Sequence, residues 1–142
     1  MSPALKLILG LAAVAGVGWV HHGLLGFGET YIGSVESEAR KVVAATNVPR
    51  VEVRMQRDPL GRLATLSGKA DAFQREGQGE MKGISDRVRD VPGVSDIRWT
   101  DQPAKSAIPL FAELLVQLLI AYLVGLGLAW LLWGRPKRKG FY

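Results

Sequence analysis

The sequence contains no cysteine, and its only histidines are the adjacent pair His21 and His22. The absence of cysteine excludes disulfides, thiol catalysis and cysteine-ligated metal sites. Neither a third histidine nor a carboxylate pair lies beside the two histidines, so we interpret them as polar anchors at a membrane interface, with pH sensing as the alternative. We therefore expect no metal and no cofactor.

Catalytic signatures are also missing from the chain. There is no nucleophile elbow, P-loop or dinucleotide fingerprint. The carboxylates of residues 76–90 are interleaved with arginines, which is typical of a solvated helix face. We therefore expect that the chain is not an enzyme and has no small-molecule substrate.

The excess of basic over acidic residues in the chain does not indicate a nucleic-acid partner. The whole chain has 18 Lys and Arg against 13 Asp and Glu, but residues 29–105 are nearly neutral, with 13 against 12. The excess comes from Lys6 and from a C-terminal cluster of Arg135, Lys137, Arg138 and Lys139. Basic residues next to an apolar run usually set membrane topology, so nucleic acid is not an expected partner.

Two long apolar runs are the main positive feature of the sequence. Residues 108–133 contain one ionisable group, Glu113, and as a helix would reach roughly 39 Å, more than the ~30 Å hydrocarbon core of a bilayer. Trp130 and Trp133 near the end of this run suit an interfacial aromatic belt. Residues 4–25 would reach about 33 Å; a cleaved signal peptide is the alternative for them.

These runs divide the chain into four parts. We predict transmembrane helices at 4–25 and 108–133, a folded domain at 29–105 and a basic tail at 134–142. The positive-inside rule predicts that both termini are cytoplasmic and that the domain lies in the periplasm, at a bacterial inner membrane.

The middle region has the pattern of an α-β-β-α-β domain. Apolar residues at spacings of three and four between Ile32 and Val43 predict a helix with Ser34 as its N-cap. Alternation over residues 51–56 and 63–68 predicts two strands that pair as an antiparallel hairpin. A capping box at Asp71 predicts a second helix, which runs towards Pro92-Gly93 and has an apolar stripe of Phe73, Gly77, Met81, Ile84 and Val88. Its three glycines indicate either close packing or irregular first turns, and residues 94–99 predict a third strand.

Two short motifs in this region resemble the BON domain family. Leu66 and Gly68 match the Leu-x-Gly that ends a strand in that family. After a helix of about twenty residues, Gly93, Val94 and Ile97 match its second motif. The resemblance covers residues 35–100, and it implies an envelope binding or scaffolding role, with contacts to phospholipid or protein rather than a reaction. We therefore expect an α+β fold, in which a small αββαβ BON-like domain lies between two transmembrane helices.

One stripe on the second apolar run predicts helix packing. Polar and small residues recur there at a spacing of four, namely Glu113, Gln117, Ala121, Gly125 and Ala129. Ala12 and Gly16 offer a small pair in the first run. Small residues allow transmembrane helices to approach closely, so we expect this stripe to pack against the first run or another chain. For Glu113 the alternatives are contact with the interface and a proton pathway.

Five arginines are candidates for a basic sheet face that meets phospholipid headgroups: Arg50, Arg54, Arg57, Arg62 and Arg98. Of these, Arg54 and Arg98 are expected on the polar sides of their strands. Ordinary solvated arginines are the alternative.

The sequence therefore predicts a non-enzymatic, inner-membrane-anchored BON-like module that contacts phospholipid or envelope proteins. The expected partners are membrane lipid and other integral membrane proteins or further copies of the chain. The alternative is an accessory subunit of a larger inner-membrane complex that docks through the second transmembrane helix.

Overall fold

The computed structural model describes residues 2–105 and 107–134 and has a mixed α+β architecture. The predicted basic tail, apart from Gly134, lies outside the described residues. The elements in chain order are α1 Pro3–Trp19 with a π-helical continuation Val20–Leu24, α2 Phe27–Ala44, β1 Glu52–Arg57, β2 Leu60–Ser67, α3 Ala72–Glu76, β3 Gly77–Gln78, β4 Met81–Lys82, α4 Ile84–Arg89, β5 Asp96–Trp99 and α5 Leu110–Trp133.

The two terminal helices are long and apolar enough to cross a membrane. They span Pro3–Leu24 and Leu110–Trp133, with mean hydropathies of 1.8 and 2.2. Pro3 lies in the first turn of α1, where its missing N–H costs nothing, and the Ser2 hydroxyl caps this end by accepting from the N–H of Leu5. The helices pack antiparallel, with Leu7 of α1 in contact with Tyr122 in the middle of α5 and Gly18 of α1 nearer to the start of α5. Both therefore meet the domain at one end.

A three-stranded sheet forms the middle of the domain, in the order β1-β2-β5. β1 and β2 are the antiparallel hairpin that the alternating pattern predicted, and β5 is parallel to β2. One face of the sheet packs against α2 and α4. The buried core consists of Ile32, Val35, Ala39, Val43, Val53, Met55, Ala64, Leu66, Ile84, Val88, Val91, Ile97 and Trp99.

Helix α2 is longer than the sequence predicted. It begins at Phe27 rather than after an N-cap at Ser34, and it ends at Ala44. The Ser34 hydroxyl donates to the Tyr31 carbonyl within the helix, so it cannot cap a helix start. The predicted apolar face of α2 is confirmed, because Ile32, Val35, Ala39 and Val43 are buried.

The prediction of a single helix of about twenty residues after Asp71 is wrong. The capping box is present, since Asp71 and Gln74 exchange hydrogen bonds of 2.7 and 3.0 Å. However, α3 stops at Glu76, and β3 and β4 form a small antiparallel hairpin before α4. Gly77 has φ 75°, outside the helical range, so the helix cannot continue through it.

The expected apolar stripe of that helix is consequently divided. Ile84 and Val88, on α4, lie in the core. Phe73 and Met81 remain 49% and 64% exposed. Trp99, at the end of β5, is buried, and its Nε1 donates to Ser85 Oγ at 3.0 Å.

Candidate functional site

The domain is joined to α5 by backbone as well as by side chains. Gly61, near the start of β2, forms an isolated antiparallel bridge with Pro109, the N-cap of α5. On the other side, only Leu25 and Gly26 separate the α1 helix and its continuation from α2. The start of β2 therefore lies at the level where both apolar helices meet the domain.

A groove of about 470 Å³ opens at this junction, and we call it the junction groove. It is bordered by the end of the first helix, the starts of α2 and α5, and β2. Its lining residues are His21, His22, Phe27, Gly28, Tyr31, Arg62, Leu110, Glu113, Leu114 and Gln117. The groove thus combines aliphatic and aromatic walls with two opposite charges, two imidazoles and an amide.

The two charges form an ion pair between the sheet and α5. Arg62 Nε lies 2.8 Å from Glu113 Oε2, and the two side chains are 32% and 22% exposed. Nε has no hydrogen-bond partner among the described residues, so the contact is a charge pair whose N–H is not directed at the carboxylate. Glu113 lies in the first turn of α5, where a negative charge is also favoured by the helix dipole.

The carboxylate of Glu113 lies at the domain end of α5, bound to an arginine of the domain, and not deep along an apolar helix. Contact of Glu113 with the membrane interface and a proton pathway both stay predictions.

The helix-packing stripe does not face the first apolar run, which leaves another chain as its expected packing partner. The contact between α1 and α5 uses Leu114, Leu118 and Tyr122 of α5, one position along the helix from the predicted stripe. A Cβ built on Gly18 of α1 would lie 2.7 Å from Leu118 Cδ1, and Tyr122 Oη donates to the Leu7 carbonyl at 2.9 Å.

The stripe residues beyond Glu113 face away from the rest of the protein. A Cβ on Gly16 or on Gly125 would meet nothing within 4 Å. The remaining stripe residues are exposed: Ala12, Gln117, Ala121 and Ala129. Gln117 also lines the junction groove. Packing of the stripe against another chain stays a prediction.

The histidines lie in aromatic contacts at the junction. The His21 ring stacks on Phe27 with centroids 4.4 Å apart and an interplanar angle of 19°. The centroid of the His22 ring lies 5.4 Å from that of the Phe111 ring. His22 also lies against Gly28, where a Cβ built on the glycine would be 2.5 Å from His22 Cε1. His22 therefore packs between the starts of α2 and α5. Within the described residues, no group of three or more His, Asp or Glu side chains could hold a metal ion.

Arg54 and Arg98 are brought together on the sheet. Both are register partners of Thr65, from opposite sides, and Arg98 Nε donates to Thr65 Oγ1 at 3.2 Å. Thr65 lies three residues beyond Arg62 on β2, roughly 10 Å farther from the start of α5. Lipid contact by this pair stays a prediction, and the structure offers Arg62 as the arginine nearer to the apolar helices.

The residues of the BON-like motifs have structural positions. Leu66 and Ile97 lie in the core, with Val94 packed beside it. Gly68 has φ 125°, and a Cβ there would lie 2.1 Å from the Arg50 carbonyl oxygen, so a side chain cannot be accommodated. Gly93 lies against Val35 and Tyr31 of α2. These positions account for the motif residues by packing alone.

Sequence reasoning missed one buried charge. Glu36 of α2 is only 8% exposed; it accepts a hydrogen bond from the Met55 N–H at 2.9 Å and contacts Arg57 and Arg40. Burial raises the pKa of Glu36, but the Met55 and Arg57 hydrogen bonds and the two positive charges outweigh it, so the pKa lies below 4.5. Glu36 lies four residues after Ile32 and three before Ala39, which places it on the apolar face of α2. This spacing is the feature of the sequence from which its burial could have been predicted.

Comparison of the chain with protein-family models, curated proteins and solved structures finds no match.

Proposed function

We propose that this chain is a non-enzymatic binding and scaffolding module, anchored in a bacterial inner membrane by α1 and α5, whose domain contacts phospholipid or envelope proteins on the periplasmic side. The observation that carries the proposal is the direct contact between the domain and α5. The Gly61–Pro109 bridge and the Arg62–Glu113 ion pair hold the sheet directly on the end of α5. Such a domain is kept at the membrane surface.

Two sequence features support the remaining parts of the proposal. The resemblance of Leu66, Gly68, Gly93, Val94 and Ile97 to the BON motifs favours binding over catalysis. The basic cluster after residue 134 favours a cytoplasmic C-terminus. Since α1 and α5 are antiparallel and both meet the domain at one end, the N-terminus then lies on the cytoplasmic side as well.

The first test is purification of the full chain with an N-terminal tag in mild detergent, followed by mass spectrometry of the bound proteins and lipids. A binding module retains phospholipid or a periplasmic partner through repeated washing. The proposal fails if the purified chain retains neither phospholipid nor protein beyond the level of an unrelated two-helix membrane protein.

A second candidate, an accessory subunit of a larger membrane complex, is favoured by the outward-facing small residues of α5. Ala121, Gly125 and Ala129 are exposed and form one side of the helix. If the chain is such a subunit, the tagged chain should purify in a fixed ratio with other membrane proteins. Gly125→Leu should break that ratio, whereas Gly127→Leu should not, because residue 127 points to another side of α5 and also meets nothing within 4 Å.

A further inference from the structure

The junction groove is continuous with the apolar surface that would face lipid chains. Leu24, Leu25 and Phe27 are large exposed apolar residues at and just beyond the end of the first apolar helix, after the His21-His22 pair. Leu110 and Leu114 line the groove from the side of α5. A lipid whose chains lie along the two helices would therefore bring its headgroup to the groove.

The groove presents a positive and a negative group side by side. Glu113 lies 2.8 Å from Nε of Arg62 without a directed hydrogen bond, and the Arg62 side chain is 32% exposed. The exposed part of the guanidinium can therefore bind an anion. The carboxylate of Glu113, which is 22% exposed, keeps lone pairs for a cation.

Three helix ends border the groove. The C-terminal end of the first apolar helix carries partial negative charge, and the N-terminal ends of α2 and α5 carry partial positive charge. They reach the groove through His21 and His22, through Phe27 and Gly28, and through Leu110. The two N-terminal ends favour binding of an anion in the groove.

We propose that the junction groove binds the headgroup of a zwitterionic phospholipid with a primary ammonium, its phosphate on the Arg62 guanidinium and its ammonium on the Glu113 carboxylate. The proposal rests on the proposed membrane anchoring and names a lipid class and a site for it. An anionic headgroup fits less well, because its phosphate meets Arg62 but nothing in it compensates Glu113. A quaternary ammonium cannot donate a hydrogen bond to that carboxylate.

The test uses the full chain in detergent micelles and measures lipid retention by native mass spectrometry. The probes are phosphatidylethanolamine, phosphatidylcholine and phosphatidylglycerol with identical acyl chains. We expect the wild type to retain phosphatidylethanolamine most strongly. Glu113→Gln and Arg62→Gln should each weaken that retention roughly tenfold, because each removes one charge-assisted contact.

The matched control is Arg89→Gln, which removes an exposed arginine of α4 outside the groove lining and should leave phosphatidylethanolamine retention unchanged. Arg98→Gln tests the Arg54–Arg98 surface as the competing site. If a groove variant fails to fold, soluble glycerophosphoethanolamine added to the wild type replaces it as the test, and it should displace the lipid where glycerophosphate does not.

Other outcomes overturn the inference in distinguishable ways. If Glu113→Gln and Arg62→Gln retain phosphatidylethanolamine as the wild type does, the groove is not the binding site. If Arg98→Gln loses the lipid instead, the proposed lipid binding takes place at the Arg54–Arg98 surface. If the wild type prefers phosphatidylglycerol or phosphatidylcholine, the assignment of the headgroup class is wrong. If the wild type retains no phospholipid, the lipid branch of the proposed function falls together with the groove.

Discussion

Glu36 is the residue on which folding stability should depend most visibly through its charge. Its carboxylate satisfies the Met55 N–H on β1, an edge strand, and lies between Arg40 and Arg57. We expect Glu36→Gln to lower the free energy of unfolding by roughly 1–3 kcal/mol near pH 7, because a hydrogen-bonded buried charge is lost. Chemical unfolding of the full chain in micelles, followed by circular dichroism, measures this difference.

The pH dependence of that difference has a definite sign. The pKa of Glu36 is lowered by folding, so its contribution is present above the unfolded value of about 4.5 and is lost as pH falls through the folded pKa. The gap between wild type and Glu36→Gln should therefore shrink below pH 4.5. Glu38→Gln is the control, since Glu38 is exposed on the same helix and pairs with the exposed Lys41. A gap that widens on acidification would contradict this role.

At the scale of elements, the conformation of Gly77 ends α3. A Cβ at this residue would lie 2.0 Å from the Met81 carbonyl oxygen, in addition to the strain of φ 75°. We expect Gly77→Ala to cost roughly 2–3 kcal/mol of unfolding free energy. Gly79→Ala is the matched control: its φ is 61° but its Cβ would meet nothing, so about 1 kcal/mol is expected. Equal losses in both variants would show that the turn tolerates the Gly77 side chain.

Contact between α1 and α5 can be tested directly, because the chain has no cysteine of its own. Gly18 and Leu118 face each other closely, so the pair Gly18→Cys and Leu118→Cys should form an intrachain disulfide on mild oxidation. Gly16→Cys with Gly125→Cys is the control pair and should give none within one chain, since a Cβ at either position lies more than 4 Å from the described atoms around it. A shift in gel mobility that is reversed by reductant is the readout. The packing described is excluded if the control pair cross-links within the chain instead.

The elements that the sequence predicted well are those with a strong periodic contrast. Alternation between apolar and polar residues identified β1 and β2 and their pairing, and the spacing from Ile32 to Val43 identified the buried face of α2. The contrast is absent in α5, where almost every position is apolar. Any row at a spacing of four then looks suitable, and the sequence favoured the small residues although Leu114, Leu118 and Tyr122 make the contact.

The junction groove could not be derived from the sequence for a related reason. Arg62 and Glu113 are 51 positions apart in the chain, and their pairing depends on the bridge that places the start of β2 against the start of α5. Each residue was identified separately, one as a possible headgroup contact and the other as a costly charge in an apolar run. Only the packing of the domain on the helices shows that each compensates the other.

At the scale of the whole molecule, the antiparallel helices separate the domain from the N-terminus by the length of α1. A helix of 22 residues covers roughly 33 Å, about the thickness of the hydrocarbon core. If the helices span the bilayer, Lys69, an exposed residue after β2, and Ser2 must lie on opposite sides. Lys69→Cys should therefore react with a membrane-impermeant maleimide in spheroplasts, and Ser2→Cys only after the membrane is opened. Reaction of Ser2→Cys in intact spheroplasts would rule out the cytoplasmic N-terminus on which the proposed function depends.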